Sequence, residues 1–189
     1  MSTNLLLLYR LAELMLEHEQ HVLPVDLIFD DNHVGDFVKS IQIDSPYQQM
    51  LLEGVLTESV LDEKLFVSFT VEGYFHYVLG EVIYHRTEGL GAEALKQIVE
   101  TNKLNGAKEG VEQCLIRDVQ KTNLTRLIWL IDESDEVLEL AVLPLSIAFL
   151  SFKIRDVLSD LLISPTINDL ILVSKVCSFF EINLKTKLS

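Results

Sequence analysis

The sequence predicts a mainly α-helical protein that contains one short β-hairpin. Apolar residues recur at spacings of three and four along most of the 189 residues, as they do on the buried faces of helices. Only 4 prolines and 8 glycines are present, which favours helices over a loop-rich β protein. A single stretch, residues 55–70, instead has two short β-prone runs around a polar turn.

The first quarter of the chain is predicted to hold several short helices. Asn4 is expected to cap a first helix that ends near His18, and the segment from His21 to Pro24 breaks it. Val25 to Phe29 is apolar and fits either a helix or a strand. After a polar turn, Asp36 to Ile43 is expected to form a further short helix.

A well-marked helix start precedes the hairpin. Ser45 is predicted as the N-cap, with Pro46 at the first helical position and Gln48 three residues after the cap. The helix is expected to run from Pro46 to Leu52 and to end at Gly54, since glycine tolerates the left-handed conformation found after helices.

The hairpin and the helix after it complete a recognisable order. Strands are predicted at Val55 to Leu61 and Leu65 to Thr70, joined by a three-residue turn at Asp62 to Lys64. An apolar stripe from Val71 to Tyr84 predicts the next helix. Short helices followed by a hairpin are typical of a winged helix, so residues 1–86 are predicted to form a winged-helix-like domain.

The remaining chain, residues 91–189, is predicted to form a helical array after a linker at Thr87 to Gly91. Because no repeat of fixed period is visible, both a HEAT- or ankyrin-like stack and an irregular bundle fit the pattern. The expected helices lie near residues 94–105, 111–119, 124–131, 137–152, 154–163 and 166–180. Phe179 and Phe180 form an apolar end to this array and are the expected partner surface.

The charge distribution argues against nucleic-acid binding. The formal net charge is −14, and residues 1–90 hold 4 Lys/Arg against 15 Asp/Glu. A DNA-binding face needs cationic side chains against the phosphates, yet the winged-helix-like part is the more acidic half. The acidity fits either a solvated surface or a patch that docks a basic partner.

No catalytic or cofactor site is predicted. The chain contains no GxxxxGK[ST], GxGxxG, GxSxG or HExxH motif, so no catalytic residue is named and no cofactor is expected. Cys114 and Cys177 lie far apart in apolar helical patterns and are expected to be reduced and buried. We therefore do not expect an enzyme.

Several titratable groups are candidate metal ligands. His18 and His21 would share one face near Glu17 if the first helix continued to His21. The more economical interpretation is a solvated helix end, so no metal site is predicted. No metal site is predicted in an acidic loop region either, which we expect to be solvated. In the post-hairpin helix, Glu81 and His85 are expected to form a surface pair. His76 of the same helix is expected to be a packing residue. The loop residues are Asp30, Asp31, His33, Asp36 and Asp44.

The sequence favours a cytoplasmic protein. The first residues lack the basic region and cleavage site of a signal peptide. The longest uncharged apolar run, Leu140 to Phe152, has 13 residues and falls short of the roughly 20 needed to span a bilayer. No membrane association is expected, and the oligomeric state is not predicted.

The hairpin region resembles one family. Met50 to Leu56, followed by Leu65 to Leu79, is similar to the "LLEEGLL … VRFTHDxxREYLLA" pattern of STAND-type NTPases. The pair Phe69-Thr70 closing the second strand, with Tyr74 and Phe75 in the aromatic-rich helix that follows, carries the likeness. In that family the pattern marks the winged helix after the ATPase core and the first helix of the sensor array.

This resemblance implies a detached arm, since no Walker motif and no ATPase core accompany it. In the family the region packs against the nucleotide domain and the array recognises a trigger. The resemblance thus implies that Phe69, Thr70, Tyr74 and Phe75 form the junction between the two parts. No catalytic residue of the family is carried over.

The sequence is compatible with three functions. The first is a non-enzymatic interaction or regulatory module, resembling the arm of a signalling or defence STAND NTPase, with a protein partner such as an ATPase core in cis or in trans. The alternative is a winged-helix transcriptional regulator whose array senses a signal or dimerises. The third is an enzyme or metal protein that uses His18 and His21 or a pocket in the array. The charge and the missing motifs favour the first.

Overall fold

The computed structural model describes residues 2–40, 42–121, 123 and 125–133, together with positions 140 and 144. The predicted mainly helical class with a short hairpin is confirmed. The predicted helices near 137–152, 154–163 and 166–180, Cys177, and the pair Phe179 and Phe180 lie outside the described residues. The described elements are α1 (Thr3–His18), β1 (Leu23–Pro24), α2 (Val25–Phe29), α3 (Gly35–Lys39), α4 (Pro46–Leu52), β2 (Leu56–Leu61), β3 (Lys64–Phe69), α5 (Glu72–Thr87), α6 (Ala92–Thr101), α7 (Ala107–Gln120) and α8 (Thr125–Glu133).

A third strand joins the predicted hairpin. The sheet is antiparallel with the order β1-β3-β2, and Leu23 pairs with Val67 while Pro24 pairs with Phe66. The segment predicted only to break the first helix therefore supplies an edge strand, where proline is tolerated. The described order is thus a helix, a strand, further helices and a hairpin whose second strand pairs with β1. The assignment of this part as a winged-helix-like domain stays a prediction.

The first helices differ in detail from the prediction. The N-cap of α1 is Ser2 rather than Asn4, and its hydroxyl accepts a hydrogen bond from the Leu5 amide at 3.4 Å. Segment α2 is a helix that buries Val25 and Ile28. Helix α3 ends at Lys39 rather than near Ile43, because Ser40 adopts an extended conformation with ψ 119°.

Helix α5 lies at the centre of the described fold. It is buried on most of its circumference and packs against α1 and α7. Glycines permit a close crossing with α7: a Cβ on Gly80 would overlap the Cβ of Gln113, and a Cβ on Gly110 would lie 2.8 Å from the side chain of Leu79. A close approach of this kind excludes larger side chains on either helix.

The hydrophobic core is continuous across the predicted boundary at residues 87–91. One cluster of buried side chains extends from Leu7 in α1 through Leu79 in α5 to Leu115 in α7 and Leu127 in α8. Helix α6 packs on α7 and α8 in the same region. The division into a domain of residues 1–86 and an array of residues 91–189 stays a prediction.

Membrane-spanning length is not reached in this part of the chain. Among the described residues, no helix is both long enough and apolar enough to cross a bilayer.

Candidate protein-interaction surface

Helix α4 begins and ends as its sequence predicts. The Ser45 hydroxyl accepts a hydrogen bond from the Gln48 amide at 3.3 Å, and Pro46 occupies the first turn. Gly54 follows the helix with φ 69°, and the Val55 amide donates to the Met50 carbonyl at 2.9 Å, which closes the helix end in a Schellman motif. These local signals fix where α4 starts and stops.

One side of α4 is buried and the other faces solvent. Tyr47 and Met50 point into the core, whereas Leu52 is 71% exposed. Ile43, just before the helix, is 77% exposed and lines an open groove with Leu52 and Glu53. The outer side of α4 thus presents apolar side chains beside a carboxylate.

The turn of the hairpin has two residues rather than the predicted three. Asp62 and Glu63 have φ values of 49° and 64°, so both occupy the left-handed region, as in a type I′ turn. Lys64 pairs with Leu61 and is the first residue of β3. The type I′ geometry matches the twist of the two strands, and this places Lys64 in the sheet instead of the turn.

The inner face of the hairpin extends beyond the core. Leu56 and Val67 lie on one face of the sheet and are buried, and the pair of Val60 and Leu65 lies on the same face by register. Yet Val60 is 72% exposed and Leu65 is 39% exposed. The apolar face therefore continues past the part that the described residues cover.

A hydrogen bond holds the hairpin against α4. The Tyr47 hydroxyl donates to Glu58 Oε1 at 2.7 Å. Burial, together with this bond to a carboxylate, raises the pKa of Tyr47, so the phenol stays protonated and keeps donating. We call the exposed sides of α4 and of the β2–β3 hairpin, from Ile43 to Leu65, the wing face.

The wing face is acidic. Between residues 42 and 65 the only cationic residue is Lys64. The carboxylates of the same stretch belong to Asp44, Glu53, Glu58, Asp62 and Glu63. DNA-binding proteins of the helix-turn-helix type place a helix in the major groove and basic groups on the phosphates. The charges here have the wrong sign for that contact.

The predicted junction residues lie close together at the end of β3. The Phe69 ring centroid is 5.4 Å from that of Phe75 and 6.2 Å from that of Tyr74. The Thr70 amide donates to the Val55 carbonyl at 3.0 Å, which extends the hairpin pairing by one bond. Phe75 is buried, but Tyr74 is 38% exposed. The cluster connects the sheet to α5, and its role as a junction stays a prediction.

A buried polar cluster connects α5, α7 and α8. Arg126 makes two hydrogen bonds to the Asp118 carboxylate, at 2.7 and 2.8 Å, and one to the Thr87 hydroxyl at 2.5 Å. Its Nη2 also lies 3.5 Å from the Sγ of Cys114. Burial raises the pKa of the Cys114 thiol to about 12, so this free cysteine is a protonated core residue rather than a nucleophile. All these groups satisfy one another, which indicates a structural role.

The predicted surface pair of Glu81 and His85 does not form. Glu81 is buried, pairs with Arg117 Nη1 at 2.8 Å, and accepts a hydrogen bond from the Tyr9 hydroxyl at 3.4 Å. His85 is instead near Glu88, at 3.9 Å. The pairing rule for positions four apart assumes an exposed helix face, whereas α5 is buried on this side by α1 and α7.

Ion pairs connect α1 to the loop after α2 and to α5. Asp31, expected to be solvated, is nearly buried, pairs with Arg10 at 2.9 Å, and accepts from the His33 and Val34 amides. Glu17 pairs with Arg86. We call Arg10, Glu13, Glu17, Asp31 and Arg86 the α1 charge cluster.

The geometry assumed for a histidine metal site is not present. Helix α1 ends at His18, and Glu19 takes the left-handed conformation with φ 55°, so His21 does not continue the helical face. No group of three or more candidate metal ligands occurs among the described residues.

Two aromatic rings elsewhere in the described residues have packing roles. His76 packs against Phe75, with ring centroids 5.8 Å apart. Trp129 is half-buried beside a cavity that Tyr84 and Arg126 also line.

No match emerges from comparison with known proteins. No protein-family model, curated protein or solved structure matches this chain. The resemblance of residues 50–79 to STAND-type NTPases therefore rests on the residues alone, and the function must be argued from the surface.

The sequence does not predict the exposed apolar pair on the hairpin or the buried ion pair between α7 and α8, and the reasons differ. The exposed pair of Val60 and Leu65 was assigned to strands, but only the register shows that both extend the core face. Asp118 and Arg126 belong to different helices and follow no local pattern. The sequence shows only that each helix has a charged residue near its apolar positions. Such residues are common in helices, so this feature does not identify Asp118 and Arg126 as a pair.

Proposed function

We propose that this chain is a non-enzymatic interaction module of the cytoplasm that binds a protein partner through its wing face. The observation that carries the proposal is the combination of exposed apolar residues with carboxylates where a winged helix would hold basic residues. Leu52 and Val60 are each more than 70% exposed, at 71% and 72%. Exposed apolar groups rimmed by charge are typical of protein-binding surfaces.

The resemblance to STAND-type NTPases suggests the kind of partner. In that family the winged helix contacts the nucleotide domain, so an ATPase core, in cis in a longer parent or in trans, fits the proposal. A regulatory role in signalling or defence follows from the same resemblance. No catalytic step is assigned to any residue.

A matched pair of variants tests the proposal. Leu52→Asp places a charge on the exposed side of α4, and Leu90→Asp places the same charge on a leucine that is 55% exposed in the loop before α6. Each variant is tagged, captured from native cells and compared with the wild type by mass spectrometry. We expect a partner that Leu52→Asp loses and Leu90→Asp retains. Capture that is identical for both variants would contradict binding through α4.

The alternative is a winged-helix transcriptional regulator, which the strand order favours. Its test is duplex DNA binding followed by fluorescence anisotropy at low and high salt. We expect no binding, because the wing face has a single lysine and several carboxylates. A tight complex that weakens steeply with salt would replace the proposed function by this alternative.

A further inference from the structure

The free edge of the sheet offers a more specific site than the wing face as a whole. Among the described residues, β2 pairs with β3 alone, and five of its six residues are exposed. An edge strand carries a row of unpaired backbone N–H and C=O groups that another strand can pair with. Proteins usually protect such edges with lysine or another charged side chain, with proline or with a bulge.

Apart from the carboxylate of Glu58, these protections are missing from β2. The strand Leu56–Leu61 contains neither lysine nor proline. Its register with β3 is unbroken over six residue pairs, so no bulge twists the edge away. An accessible and regular edge of this kind is suited to β-strand addition, in which an extended segment joins the sheet.

The side chains of β2 define what such a segment must carry. Glu58 and Val60 lie on the core face, and Thr57 and Ser59 lie on the opposite face, because successive residues alternate. Glu58 uses Oε1 for Tyr47, and its side chain is still exposed, so the carboxylate can accept a further charged donor. Val60 and Leu65 offer an apolar surface next to it.

We infer that the β2 edge binds an extended segment of a partner protein with a basic side chain opposite Glu58 and an apolar side chain opposite Val60. This inference rests on the proposed function and specifies its partner. Opposite residues of paired strands share a face, so the basic and apolar residues of the segment must be two positions apart. Small polar residues suit the positions opposite Thr57 and Ser59.

The charge of the chain decides between a foreign segment and a second copy. Two copies would each carry a net charge of −14 over the whole chain, and each hairpin places Asp62 and Glu63 near the contact. Like charges opposed across strands are unfavourable, whereas a basic segment is attracted to the same surface. A heterologous basic partner is therefore the occupant.

The test uses short peptides and the full 189-residue chain. The probe is a fluorescent, blocked Thr-Val-Thr-Lys-Thr-Val-Thr, which reads the same in both directions and so fits either strand orientation. A control peptide of identical composition, Thr-Val-Lys-Thr-Thr-Val-Thr, moves the lysine to the other face. A second control replaces the lysine by glutamate. Binding is followed by fluorescence anisotropy.

We expect the probe to bind, the peptide with the shifted lysine to bind about two- to fivefold more weakly, and the peptide with glutamate to bind more weakly still. Absence of binding by the probe, or equal binding of the peptide with the shifted lysine, would overturn the inference. So would a dimer, seen by light scattering, that excludes the probe, because the occupant would then be a second copy.

Matched variants of β2 locate the contact. Val60→Lys and Ser59→Lys add the same charge at neighbouring exposed positions, but only the first lies on the core face. We expect Val60→Lys to weaken the probe about tenfold and Ser59→Lys to leave its affinity nearly unchanged. Equal effects of the two would overturn the inference. If Val60→Lys lowers the melting temperature, Val60→Thr keeps the branched side chain and is expected to weaken binding by a smaller factor.

The results separate this inference from the proposed function. If the probe fails while a cellular partner is still lost only in Leu52→Asp, the edge inference is wrong and the interaction module stands. If Leu52→Asp and Leu90→Asp capture the same proteins, the proposed use of α4 fails, whatever the peptides do.

Discussion

At the scale of single residues, the buried ion pair of Asp118 and Arg126 shows how much depends on completed polar contacts. Asp118 and Arg126 are 1% and 8% exposed in their side chains. Arg126 donates to the Asp118 carboxylate, to the hydroxyl and the carbonyl of Thr87 and to the Cys114 sulfur, so few of its N–H groups remain for water. Burying such a pair requires the desolvation of two charges. Removing one partner destabilises the fold more strongly, because it leaves a buried charge without a counter-ion.

We expect Asp118→Asn to lower the free energy of unfolding by about 3 kcal/mol, because Arg126 would keep its charge without a counter-ion. Urea denaturation measures the change, with the exposed Glu100→Gln as the control. The double variant Asp118→Leu, Arg126→Met removes both charges and should be the milder change. A double variant no more stable than Asp118→Asn would contradict this account.

The limits of sequence interpretation are also visible at single residues. The sequence predicts Ser45 and Gly54 correctly because capping depends on neighbours along the chain. It predicts a surface pair for Glu81 because no local pattern reveals that α1 and α7 cover this side of α5, or that Arg117, 36 positions away, is the partner. It does not predict the strand at Leu23 because the partner, Val67, is distant and the strand has two residues.

At the scale of elements, the crossing of α5 and α7 depends on two glycines. We expect Gly80→Ala to destabilise the protein by about 1–3 kcal/mol, because the added Cβ would meet Gln113 and lie 3.1 Å from the Cys114 backbone nitrogen. Thermal unfolding followed by circular dichroism measures the shift.

The control for that experiment lies in the same helix. Gly73 has nothing within 4 Å of an added Cβ, so Gly73→Ala should be neutral or stabilise α5 by up to about 1 kcal/mol through helix propensity. Equal destabilisation by Gly73→Ala and Gly80→Ala would show that packing against α7 is not the cause.

The α1 charge cluster gives stability a pH dependence. Burial alone would raise the pKa values of Glu13 and Asp31, but hydrogen bonds outweigh burial and lower both. Glu13 accepts hydrogen bonds from Arg10 and Arg86. Asp31 accepts them from the His33 amide and from Arg10. A lowered pKa means that the stabilisation is complete above the unfolded values, 4.5 and 3.8, and is lost as the pH falls through the folded values.

We therefore expect the free energy of unfolding to decrease as the pH is lowered from about 5 towards 2. In Arg10→Gln the decrease should be smaller, because both carboxylates lose one of the donors that lower their pKa. Urea denaturation at a series of pH values measures both curves. Parallel curves for the two proteins would contradict the assigned cause.

At the scale of the whole molecule, the continuous core predicts that the two parts depend on each other. Helix α5 buries Val78, Leu79 and Ile83, and its contact with α7 lies beyond the predicted boundary. We expect residues 1–90 alone to lack a cooperative thermal transition, whereas residues 1–133 retain one. Circular dichroism on the two fragments checks this. Cooperative unfolding of residues 1–90 would support two separate domains.

The turn at the tip of the hairpin has a backbone conformation that lowers the stability of the fold. Asp62 and Glu63 both take left-handed backbone conformations, which glycine and asparagine adopt more readily. Asn-Gly at these positions would relax the turn, yet it would remove two negative charges from the wing face. The native dipeptide keeps two negative charges at the tip of the hairpin although its backbone conformation is less favourable, as is expected where a surface serves recognition.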